Sequence, residues 1–402
     1  MTTDSASTGC PVRPWEYSLG EVPGHTGFAL FDAIGPDEPI FRTDEGPGYF
    51  VAADAATITE VMQDPVRFSS TSVVPIEPDP QYLWIPIMLD PPRHTTWRKL
   101  MAPHFTPRRV AELDAAVRRR CADLVEEIAD RGSADFIGDF ARRFPTSIFL
   151  ELFGLPIEEL DRLLEWETLM THASNATDPD RSKMMNAMNE VLAYFADLIA
   201  ERRAEPPGTR DDMLSDALSW TIDGEPIPDD QMLSFCLQML IAGLDTVASE
   251  MAYMFHHLAT HAGDRERIVA DPAVRPRAVE EFLRAYPIIA TGRKATVDTE
   301  VAGCPIKAGE TILLAIAAAG RDPVEYSHPE RVDFDRPAFR HLAFGVGPHR
   351  CVGSHLARHE MAVVLDEWHK RIPEYSLAPD AVITEHHAGT WGLDRLPLVW
   401  PV

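Results

Sequence analysis

Residues 229–261 run for 33 positions without a proline and with one glycine, Gly243. At 1.5 Å per residue that spacing predicts a helix of roughly 50 Å, long enough to cross an entire domain. The apolar heart of this stretch, residues 232–247, is interrupted by Ser234, Gln238, Asp245 and Thr246. It therefore falls short of the ~20 uninterrupted apolar residues of a membrane span. With no basic leader followed by an apolar segment at the N-terminus, the chain reads as a soluble cytoplasmic protein without a membrane partner.

The surroundings of this helix read as more helix. Leu113, Val117, Cys121, Leu124 and Ile128 keep the i, i+3, i+4 rule, and the same pattern runs from about 94 to 290. Breaks are set by Pro156, Asp178-Pro179, Pro206-Pro207-Gly208 and Asp223-Gly224. Short strands are expected at 39–42 and 49–52, and after Arg293 at 297–301, 305–306 and 311–315. Residues 1–20 read as a loose arm, and 21–402 as one large domain that is mainly α with a smaller β-rich portion. Residues 69–92 form a proline-rich irregular stretch whose Tyr82, Trp84, Ile85, Ile87 and Met88 need something to pack on. Sixty-three acidic against 37 basic side chains give a net charge of −26, which argues against nucleic acid and anionic lipid as partners.

The chemistry concentrates in two places. Phe344-Gly345-Val346-Gly347-Pro348-His349-Arg350-Cys351-Val352-Gly353 prescribes a tight loop that delivers a cysteine just ahead of an amphipathic helix. A helix N-terminus favours the thiolate, the form that binds metal. In the long helix, Asp245 is an acid in an apolar run and needs a partner or a role. Thr246 can bond back to the carbonyl four residues earlier and distort the helix, while Gly243 admits a close neighbour. The other four cysteines, Cys10, Cys121, Cys236 and Cys304, form no metal or disulfide pattern and read as core or surface residues. His257 and His261 have metal-pair spacing but lack a neighbouring Glu, so no second metal site is expected; the segment holding His386-His387 is a candidate pocket wall.

The cysteine loop resembles the haem-binding loop of the cytochrome P-450 superfamily, whose other marks follow in order. These are Ala242-Gly243-Leu244-Asp245-Thr246, then Glu281-Phe282-Leu283-Arg284 with Arg331 as third member of an ionic cluster. The resemblance implies a helical fold with the long helix over haem b (iron protoporphyrin IX) and Cys351 as the axial metal ligand. It implies cofactor contacts from His94, Arg98, Arg293 and His349 to the propionates, and from Ala242, Gly243, Phe344, Gly345 and Gly353. Asp245 and Thr246 are then the catalytic pair that handles protons for dioxygen. A thiolate ligand favours O–O cleavage over oxygen carriage, so the implied activity is monooxygenation. Peroxide-driven and non-catalytic haem proteins are the alternatives.

Electrons are expected from a separate carrier, since no Gly-x-Gly-x-x-Gly element or ferredoxin cysteine cluster is present, and the resemblance implies an iron-sulfur ferredoxin or flavodoxin with its reductase. Arg98, Lys99, Arg108, Arg109 and Arg118 to Arg120 are the candidate docking cations. Within the family the chain looks similar to the branch of the bacterial camphor hydroxylase. That implies a compact terpenoid or other alicyclic substrate, bounded by Tyr82, Trp84, Ile87, Leu244 and Val247, with Tyr82 donating a hydrogen bond to a substrate oxygen.

Overall fold

The computed structural model describes residues 10–17, 20–34, 38–171, 178, 180–206, 208–337 and 340–402. The expected breaks at Pro179 and Pro207 lie outside the described residues, as do residues 1–9 of the arm.

The long apolar stretch forms two helical segments, Asp229–Leu244 and Thr246–Thr260, rather than one unbroken helix. Asp245 between them keeps near-helical angles (φ −89°, ψ −40°), so the axis continues while the ladder is interrupted. The cause is local: Thr246 Oγ1 donates to the Ala242 carbonyl at 3.0 Å, the back-bond that loosens a helix turn. Length and composition alone would let this stretch cross a membrane, but 61% of its most apolar window is buried inside the protein.

Around this axis the other helices pack by their apolar stripes. The helix Pro107–Ala129 starts at a Thr106 cap and buries Val117, Cys121, Leu124 and Ile128 against the C-terminal helix Ser354–Arg371. Phe255, on the second half of the central helix, stacks on Phe136 at 4.1 Å and meets Trp368 edge-on at 5.1 Å, joining three elements in one aromatic cluster.

The β-rich portion centres on a five-stranded sheet ordered Ile40–Thr43, Tyr49–Ala52, Thr311–Ala315, Ala290–Ala295, Phe68–Ser69. Tyr49–Ala52 and Thr311–Ala315 pair in parallel and the remaining pairs are antiparallel. The strand Ala290–Ala295 was not expected from the sequence, whose strand at 297–301 shortens to Thr299–Val301 in a hairpin with Cys304–Ile306.

Two corrections concern how the parts are tied together. The described part of the arm is not loose: Arg13 N donates to Arg42 O at 2.9 Å and Arg42 N to Pro11 O at 2.7 Å. This edge pairing carries Cys10 to Cys304, and the two form a disulfide instead of standing as separate core or surface thiols. Cys121 and Cys236 are buried and free, as the spacing suggested. In the ionic cluster, Arg284 Nη2 meets Glu281 Oε1 at 2.6 Å, but the third side chain is Arg336, whose Nε lies 3.1 Å from both Glu281 oxygens. Arg331 has an exposed side chain and contributes its backbone carbonyl, which accepts from Arg284 and Arg336.

Candidate functional site

The cysteine loop folds as its glycines demand. Gly345 and Gly347 adopt φ of +65° and +75°, and a Cβ on Gly347 would lie 2.7 Å from the Met62 carbonyl. Cys351 N donates to Phe344 O at 2.8 Å, which closes the loop, and the helix Ser354–Arg371 begins behind Gly353. The Cys351 side chain has accessible surface, but that surface faces an internal cavity of about 320 Å³. Burial pushes its thiol up, opposed by the Gly353 N–H and by Arg98, Arg350 and Arg358. A bound metal would complete the deprotonation that these donors begin.

Opposite the loop, the central helix presents Ala242, Gly243, Thr246 and Val247 to the same cavity. The turn at Asp245 sets this face, because Asp245 itself and Leu244 point elsewhere. Asp245 is 3% exposed and accepts from Ser249 Oγ at 3.1 Å, while Leu244 lies in the core between helices. Neither lines the cavity, which departs from the expectation of Leu244 as a substrate contact, while Asp245, expected to relay protons, sits behind the wall.

One end of the cavity is a cluster of nitrogen donors. His94 and His349 face each other with ring centroids 3.9 Å apart, and Arg98 and Arg293 line the same end. Burial lowers His94 to about 4, with Arg98 and Arg293 adding repulsion. Burial and the same two arginines lower His349 to about 2. Arg293, in the middle of its strand, is lowered to about 10 by burial, which Asp90 opposes. His94 Nδ1 is buried without a hydrogen-bond partner, and the Arg293 contact is to its neighbour's carbonyl, Gly292 O, at 2.7 Å. Two guanidiniums and two imidazoles gathered without a carboxylate lining the same end suit two anionic carboxylates. Together with a thiol on one wall and an apolar lining elsewhere, this donor set fits haem b, with Cys351 toward iron and the nitrogen cluster toward the propionates. Phe344, Gly345 and Gly353 also line the cavity, as expected of cofactor contacts.

The substrate candidates divide. Ile87 and Val247 line the cavity; Tyr82 and Trp84 do not. Tyr82 Oη donates to Glu77 Oε2 at 2.6 Å and its ring stacks on Trp84 at 4.9 Å, so the hydroxyl foreseen for a substrate is committed within its own loop. His386 and His387 are also absent from the lining; they pair with Asp394 and Glu385. His257 bonds Tyr286 and Asp264, and among the described residues no cluster of three metal-ligating side chains exists. Reading the sequence missed Gln238, Glu250 and Glu360, polar residues that line the cavity and each keep a buried oxygen without a partner. The signal was present: Gln238 and Glu250 fall at i−8 and i+4 from Thr246, on its own helix face.

Comparison with known proteins agrees with this geometry. The family profile for cytochrome P-450 matches residues 38–270 and 275–368. The probable cytochrome P-450 127A1 of Sinorhizobium fredii is 32% identical, covering 97% of this chain and 95% of its own. A steroid C26-monooxygenase of Mycobacterium tuberculosis is 31% identical over 90% of this chain and 97% of its own. The crystal structure of CYP101J2 superposes with a TM-score of 0.86 at 28% identity, covering all of both chains. With the profile spanning most of its length and the donor set in place for the cofactor, the chain belongs to the cytochrome P-450 family of haem b monooxygenases.

Proposed function

We propose that this monooxygenase hydroxylates a compact lipophilic substrate, a terpenoid or similar alicyclic compound, with electrons from a separate ferredoxin or flavodoxin and its reductase in the cytoplasm. The observation that carries this reading is the single cavity that has the Cys351 thiol on one wall, Thr246 on the other and apolar side chains between. Away from the nitrogen cluster and Cys351 its lining is mostly apolar, which suits a hydrocarbon skeleton. The relative named as a steroid monooxygenase supports a lipophilic alicyclic class in general. Residues 21–402 act as one haem domain in this reading.

Haem bound through a thiolate supplies dioxygen activation, and the thiolate favours O–O cleavage. The chain's part is positional. Thr246 Oγ1 gives its own proton to Ala242 O, which leaves its lone pairs facing the cavity to accept and hold a second hydrogen bond. Asp245, held by Ser249 Oγ behind the cavity wall, is placed to pass protons through the loosened turn rather than to touch substrate. Phe149, Leu152 and Met239 keep bulk water from the reacting space.

The test is spectroscopic. The reduced protein under carbon monoxide should give the strongly red-shifted band of thiolate ligation, and Cys351→His should abolish it while haem is retained. Thr246→Ala should keep the band but divert electrons from the reductant to hydrogen peroxide, dioxygen taking up two electrons and two protons, so that product per reductant consumed falls well below the wild-type yield. A histidine-like band from freshly purified wild type would overturn the assignment.

A further inference from the structure

Gln238 lies two helical turns before Thr246 on the cavity side of Asp229–Leu244. It is 8% exposed, and its Oε1 has no hydrogen-bond partner. The cavity wall it shares carries Phe105, Phe149, Leu152 and Met239, none of which can satisfy an amide. Buried amides are otherwise paired, because desolvation without a partner is costly. Neither expected hydroxyl offers a substrate a donor: Tyr82, outside the cavity lining, donates to Glu77, and Thr246 donates to Ala242. Glu250 stands twelve residues further along the same axis, about 18 Å away at 1.5 Å per residue, beyond the reach of one compact ligand that touches Gln238.

We propose that Gln238 determines specificity by pairing with a hydroxyl or carbonyl oxygen of the substrate, so that the preferred substrate is an oxygenated alicyclic compound rather than a bare hydrocarbon. The inference rests on the monooxygenase reading of the same cavity. An amide end offers a donor and an acceptor, so rotation of the Gln238 carboxamide serves an alcohol or a ketone equally. A cavity without such a partner would favour the hydrocarbon, since a buried unpaired hydroxyl is penalised.

The test is calorimetric titration of the haem-loaded protein with adamantane, 1-adamantanol and 2-adamantanone, one rigid skeleton with and without oxygen. Wild type should bind both oxygenated probes about tenfold more tightly than adamantane, the scale of one satisfied buried hydrogen bond. Gln238→Met, an apolar side chain of similar length, should remove that preference and leave adamantane binding equal or tighter. Tighter binding of adamantane to wild type, a Met variant that keeps the wild-type ratio, or failure of all three to bind would each overturn the proposal. The wild-type comparison needs no variant to fold. The carbon monoxide band, recorded on the same preparations, separates the two readings: a normal band with no preference sinks the Gln238 inference alone, and a missing band sinks the monooxygenase reading beneath it.

Discussion

Glu250 and Glu360 bring carboxyls into the protein interior at 5% and 2% exposure, and burial pushes both well above the usual carboxylate range. The folded chain therefore keeps these protons while the unfolded chain releases them above about pH 4.3. The unfolded state then binds fewer protons, so stability falls as pH rises between the unfolded and folded values, by about 1.4 kcal/mol per pH unit for each group. Glu250→Gln cannot ionise and should flatten one of these two slopes. Urea unfolding at pH 5, 6 and 7 should show the variant gaining on wild type at each step; parallel curves would show that Glu250 ionises freely in the fold. The same residue shows the limit of reading single positions. Asp245 stood out as an acid in an apolar run, and the rule that flagged it applies to Glu250 five residues later, yet an acid next to a recognisable motif draws the inference first. Tyr82 erred the opposite way. Its sequence context placed it near the pocket, but the choice between facing the cavity and facing Glu77 is made by loop packing, which spacing does not encode.

Elements were legible where their cause is local. The helix Pro107–Ala129 and the strand Tyr49–Ala52 follow from periodicity and turn residues, and the loosened turn at Thr246 follows from a side chain bonding its own helix. The strand Ala290–Ala295 was not, because its Gly292 and charged Arg293 and Lys294 make no strand pattern; it is fixed by partners on both sides, Thr311–Ala315 and Phe68–Ser69. Glu281 and Arg284 were readable as an i, i+3 pair, whereas the choice of Arg336 over Arg331 depends on how residues 320–336 fold back over them. That choice has a measurable consequence. Arg336→Leu leaves part of a buried carboxylate uncompensated and should destabilise the fold by about 3–5 kcal/mol. Arg331→Ala should change stability by less than about 0.5 kcal/mol, since only its backbone takes part. Denaturant midpoints decide between them, and a large effect at Arg331 would restore the expectation from sequence. Helix contact is testable in the same way. A Cβ on Gly243 would meet Phe149 Cδ2 at 2.7 Å, so Gly243→Ala should cost about 1–3 kcal/mol through overpacking. Phe149→Leu should recover part of that loss; if it does not, the close approach is not what the glycine serves.

If the carrier is an acidic ferredoxin, as proposed, the charge of −26 opposes it at long range across the whole molecule, and docking depends on a local exception. The fold packs the helix Pro107–Ala129 alongside the helix that follows Cys351, where Arg118 meets Asp366 and Glu367. Most cations of Pro107–Ala129 are already matched: Arg108 and Arg109 share Glu112, and Arg118 contacts Asp114, Asp366 and Glu367. Lys99, Arg119 and Arg350 are exposed and have no ion-pair partner among the described residues, so these three carry unmatched, solvent-facing positive charge, and half-buried Arg120 is likewise without an ion pair. Arg350 also belongs to the cysteine loop, with its carbonyl held by Arg98 Nη2 at 2.5 Å, so a carrier bound there sits close to the cofactor end. Two opposite salt responses follow from these facts. If the global charge governs encounter, screening should speed ferredoxin-driven turnover as salt rises; if the three local cations govern it, screening should slow it. At a Debye length of about 10 Å in 0.1 M salt, contacts within a docked face outlast the repulsion of distant carboxylates. Turnover should therefore rise slightly at low salt and then fall as the local attraction is screened. Arg119→Glu should lower the kcat/KM for the carrier about three- to tenfold at 0.1 M salt, the scale of one lost favourable charge contact, while leaving substrate affinity unchanged. Equal turnover by Arg119→Glu and wild type across the salt series would move the docking site off this face.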